Sequence, residues 1–295
     1  MTTIATCALA PTYDVAASLQ RHLQYIDEAA DLGADLVVFP EVSLHGYPPS
    51  VPSTELAPVL NQIYAVAEAV PDGPSVRAIA ARASERGIHA IYGLHEAGER
   101  RGIVYDTSVL TGPTGHIGSY RKVHVGVGER LLWRLGHDWP VFRTPFGRIG
   151  ILICWDKDFP ESTRELTLRG ADLLVVCSAW DASPGDHTAN GASVRLYDVY
   201  DRARAAESGR WLVSSNFVGE LGGHHYIGRS QIVSPLGDVI ATTGTSGIGL
   251  TRASIDIEAG IAAAYAAWEG PYLMRDRRPE TYRALSGELT PVIDG

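Results

Sequence analysis

"GADLVVFPE" at 33–41 and "GADLLVVCSA" at 170–179 are near-copies, and they decide how the chain reads. In each, a helical pattern ends at a glycine, an aspartate follows, and a nearly continuous apolar strand begins. Strands this apolar are usually covered on both faces. Two such halves predict an α/β architecture of two mixed β-sheets with helices on both outer faces, an αββα sandwich of four layers. The competing reading is that Gly-Ala-Asp-Leu is a common helix-to-strand join used twice.

The surroundings carry the same alternation of elements. Before the first copy, 3–9 ("TIATCAL") reads as a strand. The stretch 14–33 reads as a helix with Asp14 as N-cap and Gly33 just past its end. Val15, Leu19, Leu23 and Ile26 recur there at helical spacing. The apolar run 35–41 follows as a strand, then a helix over 75–87 and a strand over 88–94. Two strands about a Gly/Pro turn fill 104–125. The second half repeats the scheme: strand 148–154, helix 161–170, strand 171–179, helix 191–208, strand 211–216, then strands 229–234 and 249–257. No linker or low-complexity segment interrupts this, so residues 1–295 read as one domain with its core at about 3–257.

Composition narrows the function classes. Hydrophobic residues are 45% and charged residues 20%, the balance of a globular protein. A formal net charge of −9 argues against a duplex-tracking nucleic-acid role, which needs a basic face. No run approaches the roughly eighteen apolar residues of a membrane span, and the N-terminal stretch does not read as a signal peptide. The three cysteines, Cys7, Cys154 and Cys177, are too few and too scattered for a disulfide framework. Free thiols fit a reducing compartment, so a cytoplasmic location is expected. CxxC and HxxxH spacings are missing, so no structural zinc is expected.

Some residues stand where chemistry could be done. Cys154 ends the strand "RIGILIC", and polarity returns at once in Asp156, Lys157 and Asp158 before Pro160 can start a helix. A buried cysteine is usually an inert small hydrophobe, and Cys7 and Cys177 read that way. A thiol at a strand end can instead face a cleft and attack a carbonyl, given a base and an oxyanion binder. Glu41 directly follows the apolar run 36–39. It is either a surface turn residue or a cleft carboxylate able to act as general base. Lys122 is either a solvated strand lysine or a fixed positive charge. Glu129 is its ion-pair partner or a second cleft carboxylate. Asp158 is a solvated turn residue, or a contact favouring a cationic or polar amine.

Glu41 in "FPE", Lys122 in "YRKVH" and Cys154 in "GILICWD" resemble, in order and spacing, the Glu-Lys-Cys triad of the nitrilase superfamily, the carbon–nitrogen hydrolases. Three flanking stretches, 129–136 ("ERLLWRLG"), 201–216 and 228–240, resemble that family too, so the likeness spans Ile4 to about Ile257. It implies the αββα fold and a thioester route: Glu41 as base, Cys154 as nucleophile, Lys122 and the Trp155 amide as oxyanion binders, and Glu129 holding Lys122 or substrate. It implies no metal or organic cofactor. "CWDKDFPE" resembles the amidase and N-carbamoyl branches, whereas "ERLLW" resembles true nitrilases. The expected reaction is hydrolysis of a small linear amide or N-carbamoyl compound, with nitrile hydrolysis as the alternative. Related carbamoylases carry two arginines where this chain has Lys157 and Asp158. Tyr47, Trp133, Trp155, Phe159 and Trp180 are the expected substrate-pocket residues. The glycine- and histidine-rich 219–228 reads as a mobile cleft-edge loop. The tail 258–295 is expected at a subunit interface of a homodimer or larger homo-oligomer.

Overall fold

The computed structural model describes residues 1–126, 128–182, 186, 188, 190–267 and 272–286. In chain order the elements are β1 (Thr2–Leu9), α1 (Val15–Asp31), β2 (Leu36–Val38), α2 (Leu56–Val66), α3 (Pro74–Arg86), β3 (His89–Ala97), β4 (Val104–Gly112) and β5 (Gly115–Arg121). Then come β6 (Val141–Thr144), β7 (Gly147–Ile153), α4 (Pro160–Leu168), β8 (Leu173–Ser178), α5 (Ala192–Ser208), β9 (Trp211–Leu221), β10 (His224–Ile227), β11 (Gln231–Val233), β12 (Val239–Thr242), β13 (Gly249–Ile255) and α6 (Ile257–Ala267). Among the described residues, no helix is long and apolar enough to cross a membrane.

The strands join in one mixed network in the order β5-β4-β3-β2-β1-β9-β8-β7-β6. β1, β2 and β3 run parallel, as do β7, β8 and β9; β4, β5 and β6 add antiparallel edges. The two halves join where Ala8 and Leu9 of β1 pair with Asn216 and Phe217 of β9, and β13 runs antiparallel along β1 from Thr2 to Ala8.

Alternation along the strands explains the unbroken apolar runs. Leu36 and Val38 share a cluster with Ile149, Ile151, Leu173 and Val175 of the other half, so facing sides of the two halves pack together. Val37 and Phe39 point the opposite way, onto Ile26 of α1 and Ile79 of α3. Leu174 and Val176 likewise meet Leu166 of α4 and Ala205 of α5. Each such burial contributes about 1.5–3 kcal/mol, which is why neither face could be polar.

The repeated Gly-Ala-Asp is structural in both places. Gly33 and Gly170 follow helix ends with φ of 74° and 93°, a region glycine enters without a Cβ clash. The next aspartate then clamps the strand beside it. Asp35 accepts from the Thr3 amide at 2.8 Å, and Asp172 from the Arg148 amide at 3.0 Å. Each of these aspartates also donates its own N–H back to that same neighbour's carbonyl.

Some expectations are corrected. The strand after Gly33 is only Leu36–Val38, because Pro40 lacks the N–H that a ladder needs and Glu41 turns away. Residues 219–228 are largely the β9–β10 hairpin rather than a free loop. Leu221 pairs with His224 across Gly222 and Gly223, both at positive φ as a two-residue type I′ turn requires. Helix α2 went unread, its pattern interrupted by Pro58 in its first turn. Of the tail, residues 268–271 and 287–295 lie outside the described residues.

β3 passes close behind Glu41. A Cβ on Gly93 would stand 2.2 Å from the Val42 nitrogen and 2.8 Å from the Glu41 carbonyl carbon. Gly93→Ala is therefore expected to destabilise the fold by about 1–3 kcal/mol, read as a lower denaturation midpoint; an unchanged midpoint would contradict this packing.

Candidate active site

Three strands deliver the three singled-out side chains. Glu41 lies just beyond β2, Lys122 one residue past β5, and Cys154 directly after β7. Lys122 is 1% exposed and Glu41 is fully buried. The Lys122 Nζ donates to Glu41 Oε1 at 2.6 Å and to Glu129 Oε1 at 2.7 Å. Its third carboxylate neighbour, Asp106 Oδ2, is 3.6 Å away.

Both glutamates are fixed from behind. Glu41 Oε2 accepts the Ala179 amide at 2.7 Å, and the Glu41 amide donates to the Ser178 carbonyl at 3.2 Å. Thus the end of β8, in the second half, holds the carboxylate that ends β2 in the first. Glu129 accepts the Tyr47 hydroxyl at 2.6 Å and the Gly126 amide at 2.5 Å.

Cys154 opens a 3-10 helix, Cys154–Asp158, and has φ of 45°. Val42, next to Glu41, has φ of 42°, a genuine outlier for a β-branched residue. Such conformations cost about 1–3 kcal/mol each and persist only when their surroundings impose them. Asp156 does so at Cys154. It is fully buried, and its Oδ2 accepts the Ile153 amide at 2.9 Å and the Tyr120 hydroxyl at 2.7 Å. Its Oδ1 accepts the His124 amide at 2.9 Å.

The charges follow from this packing. Burial works against the Lys122 ammonium, but Glu129, Glu41 and Asp106 together hold its pKa well above the usual lysine range. For Glu129, burial pushes upward, yet Lys122, Tyr47 and Gly126 leave the pKa below its ordinary value. Burial, then the negative charge of Glu41, drives the Cys154 thiol well above the ordinary cysteine pKa. The resting sulfur is therefore protonated. Cys7 and Cys177 are fully buried, and burial raises the Cys177 thiol to about 12.

Asp106, in the alternating run "VYDTSVL" of β4, was not foreseen. Burial first, and Glu41 second, push its carboxyl well above the carboxylate range. Neither of its oxygens finds a donor, but a protonated Asp106 can donate to Glu41. An acid among buried strand residues was the available signal.

A carboxyl with a raised folded pKa contributes stability that is complete below its unfolded pKa of about 3.9 and is lost as pH rises through the folded value. Asp106→Asn removes that loss. The variant is expected to gain on the natural protein as pH rises from 5 to 7, by up to about 1.4 kcal/mol per pH unit. Denaturation midpoints at both pH values check it; a constant difference would mean Asp106 is ionised.

A cavity of about 540 Å³ opens at this cluster, lined by Cys154, Lys122 and Glu129. Tyr47, Trp155 and Trp180 stand on its wall. Trp133 and Phe159 are not among its lining residues. The Trp133 indole is buried and donates to His95 Nδ1 at 3.2 Å, while Phe159 stacks on His124 with centroids 3.9 Å apart. The wall also includes Asp158, in line with one of its two readings, His224 from the stretch expected at the cleft edge, and Asp181, which was not expected there.

The sequence profile of the carbon–nitrogen hydrolase family matches residues 3–265. A Schizosaccharomyces pombe protein named a probable nitrilase is 32% identical over 288 residues, spanning 96% of this chain and 97% of its own. A Pyrococcus abyssi nitrilase is 31% identical, spanning 79% and 80%. Among solved structures, an amidase from a Nesterenkonia species superposes with a TM-score of 0.76 at 26% identity, covering 96% of each chain. In a structure of a glutamate-to-glutamine mutant of that amidase, the acetamide moiety of fluoroacetamide is joined covalently to the active-site cysteine. The match over nearly the whole chain places this protein in the carbon–nitrogen hydrolase family, the nitrilase superfamily.

Proposed function

We propose that the chain is a thiol amidohydrolase that cleaves the C–N bond of a small linear amide or N-carbamoyl compound through a thioester on Cys154. One observation carries the reading: a buried ammonium, Lys122, held 2.6 Å from Glu41 and 2.7 Å from Glu129, lines the same cavity as a protonated thiol. Such a set supports base-assisted attack by sulfur. The three apolar clusters support a four-layer αββα arrangement in which the two sheets bring these residues together.

The steps follow from the charges. Glu41 takes the thiol proton as Sγ attacks the substrate carbon, so the sulfur becomes nucleophilic only as it reacts. Negative charge develops on the substrate oxygen. The Lys122 ammonium stabilises it, with the Trp155 N–H, which lies in the first turn of a helix where amides lack intrahelical acceptors. Glu41 returns its proton to the leaving nitrogen, the C–N bond breaks, and ammonia or an amine departs. Water, deprotonated by Glu41, adds to the thioester; the C–S bond breaks, the thiol regains its proton and the acid is released. Glu129 anchors Lys122 throughout.

A nitrile substrate is the second reading, favoured by the two relatives named as nitrilases. Sulfur addition to C≡N gives a thioimidate, which needs two waters, the first releasing ammonia and leaving the thioester and the second releasing the acid. Ammonia release from a panel of amides, N-carbamoyl amines and nitriles separates the readings, with intact mass to detect the acyl group on Cys154. Amide turnover with an acyl adduct is expected. Rapid nitrile turnover without amide turnover would replace the first reading by the second.

A further inference from the structure

The cavity wall is acidic. Glu129, Asp158 and Asp181 line it, and among the described lining residues Lys122 is the one lysine or arginine. Lys122 is already engaged by two glutamates. Asp181 is engaged too, its Oδ2 lying 2.7 Å from His224 Nδ1. Asp158 is different. Its Oδ1 is buried without a hydrogen-bond partner.

The nearby cations are committed elsewhere. Lys157 is fully buried, donates to Asp201 at 2.8 Å and lies over the Tyr197 ring. Arg204 donates to the backbone carbonyls of Lys157 and Asp158, at 2.6 Å and 2.8 Å, and its Nη1 reaches Glu207. Neither hydrogen-bonds the Asp158 carboxylate, and both act on it only through space. Burial raises its pKa to about 6, against the opposing charges of Lys157, Arg204 and Lys122, so it is ionised at pH 8. A partly desolvated anion without a partner gains most from a ligand that brings a cation.

The geometry points to Asp158 as a specificity-determining residue that selects amides whose far end carries an ammonium group and rejects those ending in a carboxylate. This rests on the amide-hydrolase reading above and adds the class of substrate. Asp158 lies four residues beyond Cys154 in the same 3-10 helix. At a rise of about 2 Å per residue, that is roughly 8 Å along the axis. A short chain of about four methylenes spans such a distance from the reacting carbon.

The test measures binding, so it does not depend on turnover. The Cys154→Ala protein is titrated by calorimetry at pH 8 with three matched ligands: 5-aminopentanamide, hexanamide and adipic acid monoamide. The cationic amide is expected to bind at least about tenfold more tightly than the anionic one, with the neutral one between. Adding Asp158→Asn should shrink the cation-over-neutral ratio to about twofold or less. Equal or tighter binding of the anionic amide, no measurable binding of the cationic one, or a ratio unmoved by Asp158→Asn would each overturn the proposal. Ammonia release from hexanamide by the natural protein reports separately on the hydrolase reading.

Discussion

Cys154→Ala is expected to lower kcat by about 10⁴-fold or more while changing stability by no more than about 1 kcal/mol. The proposed reaction has no other nucleophile. The remaining thiols are fully buried in the core, and Glu41 without sulfur can only activate water against an unactivated amide. Cys154→Ser should also be nearly inactive, because a hydroxyl is a far weaker acid than even this raised thiol and Glu41 cannot draw its proton. The same charges make a second readout. With Cys7 and Cys177 inaccessible, a small neutral alkylating reagent should modify Cys154 alone, at a rate still climbing above pH 9. A rate that levelled near neutrality would reveal a resting thiolate and a different base. Activity surviving in Cys154→Ala would remove the thioester route altogether.

Lys122→Met should cost about 3–5 kcal/mol of stability and abolish turnover. Methionine fills similar space but leaves Glu41 and Glu129 buried beside each other without their shared cation. The pH dependence has a definite sign. The folded pKa of Lys122 is raised, so its stabilisation is complete below the unfolded lysine value of about 10.4 and is lost only above it. The Glu129 pKa is depressed, so its share is present above about 4.3 and is lost as pH falls through the folded value. The deficit of Lys122→Met is therefore largest between neutral pH and about pH 10, and it shrinks in acid as Glu129 takes up its proton. Arginine should not rescue the site, since its planar fork cannot replace a compact ammonium between these oxygens. Urea titrations at several pH values check this. A loss under about 1 kcal/mol at pH 7 would mean the cluster is solvated rather than sealed.

The strand–helix alternation was legible because apolar runs closed by glycine and aspartate have a direct backbone meaning, and both copies of that join fold alike. Glu41 and Cys154 stood out because each follows an apolar strand, but the strand before Lys122, "GHIGSYR", is mostly polar and left that lysine's side open; it was the resemblance to the carbon–nitrogen hydrolases that joined the three. Asp106 and Asp156 were harder. Their roles depend on partners distant in sequence: Asp106 faces Glu41, and Asp156 bonds Tyr120 and His124 from the preceding half. The aromatic residues divided for a similar reason. Nothing in the neighbourhood of Trp133 says that its indole nitrogen meets His95 in the core. The hairpin at 219–228 was missed because adjacent glycines suggest disorder as readily as a tight turn.

The bond from the Ala179 amide to Glu41 joins residues 138 positions apart. Contacts of such long range form late in folding, since they close the largest loops. During renaturation, secondary structure should therefore recover ahead of enzymatic competence, and a chain halted with either half incomplete would hold its sulfur without an aligned proton acceptor.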